Sequence, residues 1–552
     1  MDRYREFVTP ALIFILIVAI AMSPVWLVTH FINQDGVAHA NNAWIMLKLL
    51  EGDPLYISLY QFNTLALPNS IVHWLLVVML PILSPFTATK LVVTIIFALT
   101  VLAAGFLRYR THGNDGLVTA MLIGAVVSLN WLWLVGFYNF SLGVAIVVFA
   151  VALFSGWTDG ISYRRMIVLS LLLLLAYFSH LIAVATLAGV IGVLSIGYVV
   201  RRDIPSILRL AAAFIPLVPL VLVFRSVSAS SDMGVSPTWR SLENASSVMN
   251  WITQVRFADP FIFISRKTFP FSADESGLYA IFSPIIWIVA AVLVLIAGSL
   301  IAKREESSTS FPAVAKAFVL VFILLIGFAA FGPDDFGSEH GGVLRQRLTI
   351  FAFLFFIPVF HLGANRWFER AAQLALIIAV GFQTLALWDY ARFSDRIGAE
   401  YAAAARSLPN DGGIAQITVV TEAKRFYAQP TTMVNNFSGI GRNLLVWDNY
   451  ELGHYLFPVI MRRAEDKEFI YDLTRNSALR KDIPGDGVAE KIAALDTVLA
   501  NDGGRITTLM VWGNDPDLET VIGRYFVAEP THRTANFRIF RRATNSYGPG
   551  GQ

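Results

Sequence analysis

Apolar runs of roughly membrane-crossing length recur through the first 390 residues. They fall near 9–31, 87–107, 116–133, 138–157, 166–179, 181–200, 208–224, 279–301, 312–331, 346–362 and 371–388. Each predicts a transmembrane helix, because a bilayer core of about 30 Å asks for about 20 consecutive apolar residues. A further apolar stretch, 70–85, is short, is interrupted by Pro81 and carries Asn69, His73 and Trp74 at its start. After Asp389 the pattern changes. Ile414 to Thr421 and Thr507 to Trp512 read as strands, and Asp486 to Asn501 has helical periodicity in Val488, Ile492, Leu495 and Val498. Tyr525 to Ala543 reads as a hairpin turning at Thr534-Ala535-Asn536. The predicted architecture is a polytopic α-helical membrane domain, 1–389, followed by a water-soluble α/β domain, 390–552.

Charge orients the spans. Cytoplasmic loops are enriched in Lys and Arg. With Arg3 and Arg5 inside, the pairs Arg108/Arg110, Arg164/Arg165, Arg201/Arg202, Lys303/Arg304 and Arg366/Arg370 all fall inside only if 70–85 does not cross fully. That stretch is therefore expected to be an interfacial or re-entrant helix on the outer side. The outcome is eleven crossings, an inner N-terminus and an outer C-terminal domain. A cleaved signal peptide ending near Ala19-Ile20-Ala21 is the competing reading of the start. The apolar run continues through Val25 to Val28, which favours an uncleaved first helix. The sizeable outer segments are 32–86, 225–278 and 332–345, an arrangement suited to chemistry outside a cytoplasmic membrane.

Composition narrows the options. Hydrophobic residues make up 56% of the chain and charged residues 15%, with a net charge of +3; soluble proteins carry about a quarter charged residues. The charge is too small and dispersed for a nucleic-acid partner. The absence of cysteine excludes disulfides, thiolate metal sites and cysteine nucleophiles. No Gly-rich phosphate loop and no HExxH motif occurs. The sequence assigns no metal ligands.

Candidate chemistry gathers after the first span, in Asn33-Gln34-Asp35-Gly36-Val37-Ala38-His39. Asp35 stands where it could cap the following helix, or, four residues before His39, could share a face with it as a catalytic pair. Glu51 and Asp53 are candidate second acids, though Asp53-Pro54 is also a turn signal. Residues 332–347 contain Asp334, Asp335, Glu339, His340, Gly341 and Gly342, then Arg345 and Arg347 at the outer end of a span, against the charge rule. Phosphate binding would explain that exception; snorkelling arginines paired with Asp334, Asp335 or Glu339 would also. His180 and Arg225, at outer ends of other spans, could line a cavity or serve structure. Arg256, Arg266 and Lys267 could touch a donor from the aromatic-rich 225–278 loop, which contains Trp251, Phe257, Phe261, Phe263, Phe269 and Phe271 and suggests helices at the membrane surface.

These features resemble the GT-C superfamily of integral-membrane glycosyltransferases, which includes protein mannosyltransferases, oligosaccharyltransferases and the aminoarabinose transferase of lipid A. The likeness lies in the acidic motif Asp35-Gly36-…-His39 opening a long first outer loop. It continues through Gly52 to Tyr56 and Pro68-Asn69 into an interfacial helix, then through the span plan and the closing α/β domain. The architecture covers most of the chain, the motif only some 40 residues. Many members carry a second acid beside the first; Gly36 occupies that place here. The resemblance implies an inverting transfer of a sugar from a polyprenyl-phosphate donor to a glycan, lipid or protein acceptor at the outer face. Asp35 would be the general base, with His39 beside it. Arg345, Arg347, His340, His180 and Arg225 would be the candidates for the donor phosphate. It names no cofactor with certainty and leaves room for a divalent metal. Membrane lipids are the remaining expected partner. The alternatives are a transporter or flippase for a lipid-linked or envelope precursor, and a non-catalytic membrane scaffold.

Overall fold

A computed structural model describes residues 2–229, 236–239, 259–261, 284–305, 313–336, 342–361, 366–420, 426–481 and 485–543. All eleven predicted spans coincide with helices. Eight are long and apolar enough to cross a membrane: Val8–Leu27, Pro85–His112, Tyr138–Ser155, Leu181–Val200, Ile204–Ala229, Pro284–Ala302, Val314–Phe331 and Arg366–Ala405. The other three are the shorter helices Leu117–Ser128, Tyr163–Ser179 and Leu344–Phe355. The helix in the 70–85 stretch is Ile71–Met79, nine residues. At 1.5 Å per residue it reaches about 14 Å, half a bilayer core, so it does not cross.

Two of the shorter helices end inside the protein, where backbone groups need partners. The run 116–133 breaks at Leu129-Asn130, and a second short helix, Trp131–Val135, follows with Asn130 as its cap. The Gln383 amide, from the long helix Arg366–Ala405, donates to the carbonyls of Val126 (3.1 Å) and Leu129 (2.8 Å) at that break. After Leu344–Phe355, the carbonyls of Ile357 (3.1 Å) and Phe360 (2.6 Å) accept from the fully buried Arg108, which also pairs with Asp115 at 3.0 Å. Arg108, expected as a topology signal, thus also closes a helix end.

The helix Arg366–Ala405 is continuous through residue 389, so the domain boundary placed there falls within a helix. Its 40 residues extend about 60 Å, twice the bilayer core, and carry the chain out to the α/β domain. That domain is built on β2 (Asp411–Val420), with β1 (Tyr60–Phe62) belonging to the first loop. The others are β3 (Asn443–Val446), β4 (Val459–Met461), β5 (Ala478–Arg480), β6 (Thr508–Trp512), β7 (His532–Arg533) and β8 (Phe537–Arg541). The main sheet runs β3-β2-β6-β8-β7, with β5 also on β2. β2 pairs in parallel with β3, β5 and β6; β8 closes antiparallel on β6 and forms the expected hairpin with β7. β6 is buried at every residue: Leu509 and Val511 join the main apolar cluster with Leu495, Leu499, Leu518 and Ile522, and Met510 and Trp512 join a second with Tyr401, Ala404 and Leu408.

The first loop is knitted into this domain. β1 pairs antiparallel with β4, Tyr60 opposite Met461. Asn63 donates to the carbonyls of Tyr455 (2.8 Å) and Phe457 (3.0 Å), the Tyr56 hydroxyl to that of Arg442 (3.1 Å), and Asn41 to that of Asn436 (2.8 Å). The first loop and the α/β domain therefore sit at the same end of the helices.

Candidate functional site

The helix Gly36–Glu51 begins directly after Asp35 and stops at Gly52, whose φ of 76° is the left-handed turn that glycine adopts without strain. Asp35 occupies the cap position, but its carboxylate makes no capping hydrogen bond; the purely structural reading of that residue therefore lacks its bond. Its backbone amide donates to the Val135 carbonyl at 2.8 Å. Gly136, at φ 112°, presses onto this turn so closely that a Cβ there would lie 2.5 Å from the Gly36 nitrogen. A Cβ on Gly36 would lie 2.2 Å from the Tyr138 hydroxyl. That hydroxyl donates to Asn33 at 2.7 Å. The absent second acid thus has a steric cause: the ring of Tyr138 fills its space.

His39 lies one turn on, buried, with Nε2 3.1 Å from the Gly136 carbonyl. Its Nδ1 is 2.5 Å from Oε1 of Glu451, an approach not aligned as a hydrogen bond. The other carboxylate oxygen, Oε2, is 3.1 Å from Nε2 of His73, on the interfacial helix, and accepts from the Asn42 amide at 2.5 Å. Asn449 in turn donates to Asn42 at 3.0 Å. Glu451 and His73 have no exposed side-chain surface. Burial pushes the Glu451 carboxyl up, yet the two imidazoles outweigh it and hold it down at about 2. Burial opposes the His39 imidazolium, but Glu451 and, further off, Asp35 lift its proton affinity above the ordinary value. At His73 burial prevails and the affinity falls. The cluster is a buried carboxylate against two imidazoles, one of raised and one of lowered proton affinity. Donor atoms of His39, His73 and Glu451 all lie within 4.8 Å of one another, so this trio could hold a metal ion.

His39 also forms part of a cavity wall. The remaining wall comes from Asn69, Phe137, Asn139, Phe140, His180, Gly342 and Arg347 on the membrane side, and from Tyr450, His454, Leu456 and Phe457 of the α/β domain. Asn139 ties the wall to the interfacial helix, accepting from the Val72 amide (2.9 Å) and donating to the Asn69 carbonyl (3.0 Å). Arg347 is buried, sits over the rings of Phe137 and Phe140 at 5.1 and 5.0 Å, and bonds to His180 Nε2 at 2.6 Å. Among the described residues no carboxylate pairs with it.

The structure brings together His39, His180 and Arg347, and separates the other candidates. Asp35 adjoins His39 but is not part of the wall. Arg345, two residues from Arg347, is pointed elsewhere by helical geometry: it pairs with Asp334 at 3.0 Å and donates to the carbonyls of Ala330 (3.3 Å) and Gly332 (2.9 Å). This is the ion-paired reading, not the phosphate one. Glu51 is exposed and pairs with Lys48 at 2.6 Å. Asp53 caps the helix Pro54–Leu59, accepting from the Leu55 amide at 3.0 Å. The Gly52 turn carries both acids out of the wall, and exposed Arg225 is also outside it. His340, Arg256, Arg266, Lys267, Trp251, Phe257, Phe263, Phe269 and Phe271 lie outside the described residues. Sequence reasoning missed Glu451, His454 and Tyr450. Their only signal is the polar and aromatic run Asp448 to Tyr455, which fits neither a helical nor a strand period.

No family model matches the chain, and no curated protein does. Solved structures do. A crystal structure of ArnT from Cupriavidus metallidurans bound to undecaprenyl phosphate aligns over 98% of this chain and 99% of its own, with a TM-score of 0.52 and 12% identity. The chain shares the fold of that ArnT. The apo state of the same ArnT aligns over 97% and 99%, at 13% identity and a TM-score of 0.46. ArnT is a GT-C lipid A aminoarabinose transferase. The likeness of fold takes in membrane helices and α/β domain together, since nearly the whole of each chain is covered.

Proposed function

We propose that this protein is a GT-C-type glycosyltransferase that moves a sugar from a polyprenyl-phosphate donor to an envelope acceptor at the outer face of the cytoplasmic membrane. One observation carries the reading. Arg347 is a buried cation with no carboxylate partner among the described residues, in the wall of a cavity that the first loop also lines. A buried, unpaired charge is costly, and an anionic ligand relieves that cost. A phosphate there would meet a rigid guanidinium braced by two aromatic rings. An apolar groove supports a lipid tail. It is lined by Ile182, Val190, Leu325, Phe328, Leu344 and Leu348 among others, with a volume of about 340 Å³. It begins two residues from His180 and one from Arg347. The neighbouring ArnT structure holds undecaprenyl phosphate.

In this reading Asp35, buried one turn before His39, is the general base for the acceptor hydroxyl, and the α/β domain covers the cavity. The full chain in detergent is tested with undecaprenyl phosphate and a polyprenyl-phosphate sugar. Arg347→Gln is expected to weaken undecaprenyl-phosphate binding at least tenfold. Asp35→Asn and Asp35→Ala are expected to retain binding and lose transfer by 100-fold or more, the scale of general-base catalysis, roughly 10²–10⁴. Wild-type binding by Arg347→Gln sinks the donor site, and full activity in both Asp35 variants sinks the base assignment.

A further inference from the structure

The His39–His73–Glu451 cluster asks for more than a salt bridge explains. Its three residues come from three places: the first loop helix, the interfacial helix and the α/β domain. Each is buried, and their donor atoms gather within 4.8 Å. The His39 ring is oriented from behind, with Nε2 3.1 Å from the Gly136 carbonyl. A carbonyl only accepts, so it fixes the N–H on Nε2 and leaves Nδ1 facing Glu451. Histidine ligands are held this way in metal sites, by a carbonyl on the far nitrogen. The carboxylate is steadied by Asn42, itself held by Asn449. Nδ1 of His39 faces Oε1 of Glu451 at 2.5 Å and Nε2 of His73 faces Oε2 at 3.1 Å, so both rings present a nitrogen to one carboxylate.

We propose that His39, His73 and Glu451 form a mononuclear transition-metal site of the zinc type. It would clamp the first loop and interfacial helix to the α/β domain beside the cavity. Two imidazoles and one carboxylate are a donor set for zinc-like ions, whereas magnesium and calcium prefer all-oxygen cages. Zinc bonds of about 2.1 Å at tetrahedral angles set donors about 3.4 Å apart, so binding draws the outermost pair in by up to about 1.4 Å. Because His39 belongs to both the cluster and the wall, water or a cavity ligand takes the fourth position. This proposal does not rest on the transferase reading.

The test uses the full chain, purified in detergent, stripped with a chelator and titrated with Co²⁺ as a visible probe. Metal content is measured in parallel. The expected result is one equivalent per chain, displaced by Zn²⁺ but not by Mg²⁺, and a melting temperature that falls on chelation. Glu451→Gln and His73→Gln are expected to weaken Co²⁺ at least tenfold and to melt at a temperature the chelator no longer changes. A wild-type chain that takes up no stoichiometric Co²⁺ overturns the proposal without any variant. So does Co²⁺ binding with an unchanged spectrum in both variants.

Discussion

Asp448 is buried in the α/β domain, three residues before Glu451, and its ionisation sets a measurable pH dependence. Burial pushes its carboxyl up to about 7 from 3.8, against the Asn435 amide, which donates to it at 2.5 Å, and nearby backbone amides. The folded protein keeps this proton up to about pH 7, and the unfolded chain releases it near 3.8. Between those values the folded state binds more protons, so stability falls as pH rises. Three pK units correspond to about 4 kcal/mol as a ceiling. Water entry and relaxation reduce that, and we expect about 1–3 kcal/mol, the usual cost of an imperfectly satisfied buried polar group. Asp448→Asn mimics the protonated acid and still accepts from Asn435. It should match the wild type at pH 4.5 and melt higher at pH 8, by about 3–8 °C for a domain of this size. The assay is thermal unfolding of the full chain in detergent at both pH values, read as variant minus wild type, which cancels the titration of every other group. A gap that is equal at the two pH values, or a wild type that is the more stable at pH 8, refutes the reasoning.

Gly36→Ala should cost about 1–3 kcal/mol, the range for overpacking, because its Cβ would collide with Tyr138; a melting temperature within a degree of wild type would show that the ring yields freely. Gln383→Leu should destabilise by about 1–3 kcal/mol by orphaning the Val126 and Leu129 carbonyls, measured by thermal unfolding. Glu51→Gln and Arg225→Gln should keep transfer within twofold of wild type, since both side chains are exposed and, unlike buried Asp35, do not adjoin His39; a tenfold loss in either would reopen its place in the site. Truncation after Ala405 should give a chain that aggregates on extraction, seen as void-volume elution, because it strips partners from His39, His73, Asn41 and Asn42 at once.

The spans were legible because a bilayer imposes one demand on every crossing segment, a run of apolar residues about 20 long. Pro81 and the charge pairs were enough to remove 70–85 from that set. Strands β2 and β6 were legible for the same kind of reason: buried on both faces, they read as continuous apolar runs. Hydropathy could not reveal the break at Leu129-Asn130, because the carbonyls freed there are met by Gln383 from a distant helix. Hydropathy could not show that one continuous helix, Arg366–Ala405, runs through residue 389 and links the two regions. Asp35 and His39 were found from their place after the first span. Glu451 was not, since nothing in the polar run around it announces that it will fold against a histidine of the first loop.

The distribution of buried charge favours the proposed transfer over transport. A transporter places ionisable groups and broken helices near mid-membrane. Here Lys90, buried near the start of Pro85–His112, reaches the Val28 carbonyl at 2.6 Å at the end of the first span, the end where the first loop begins. Arg108 lies at the opposite end of the same helix, tied to Asp115 and two carbonyls. The span broken at Leu129-Asn130 leads into the turn that packs on Asp35, with its carbonyls already satisfied; a second parts at Ile215-Pro216, between the helices Ile204–Phe214 and Leu217–Ala229. Polar groups thus serve helix ends or gather where the α/β domain closes over the cavity. A solute crossing the membrane would need that domain to lift. Lifting it would separate Glu451 from His39 and His73 and leave charge buried in the membrane half, at about 3–5 kcal/mol for a broken buried pair. A site that works with its cover closed, on a substrate entering sideways from the lipid along the apolar groove, meets no such cost.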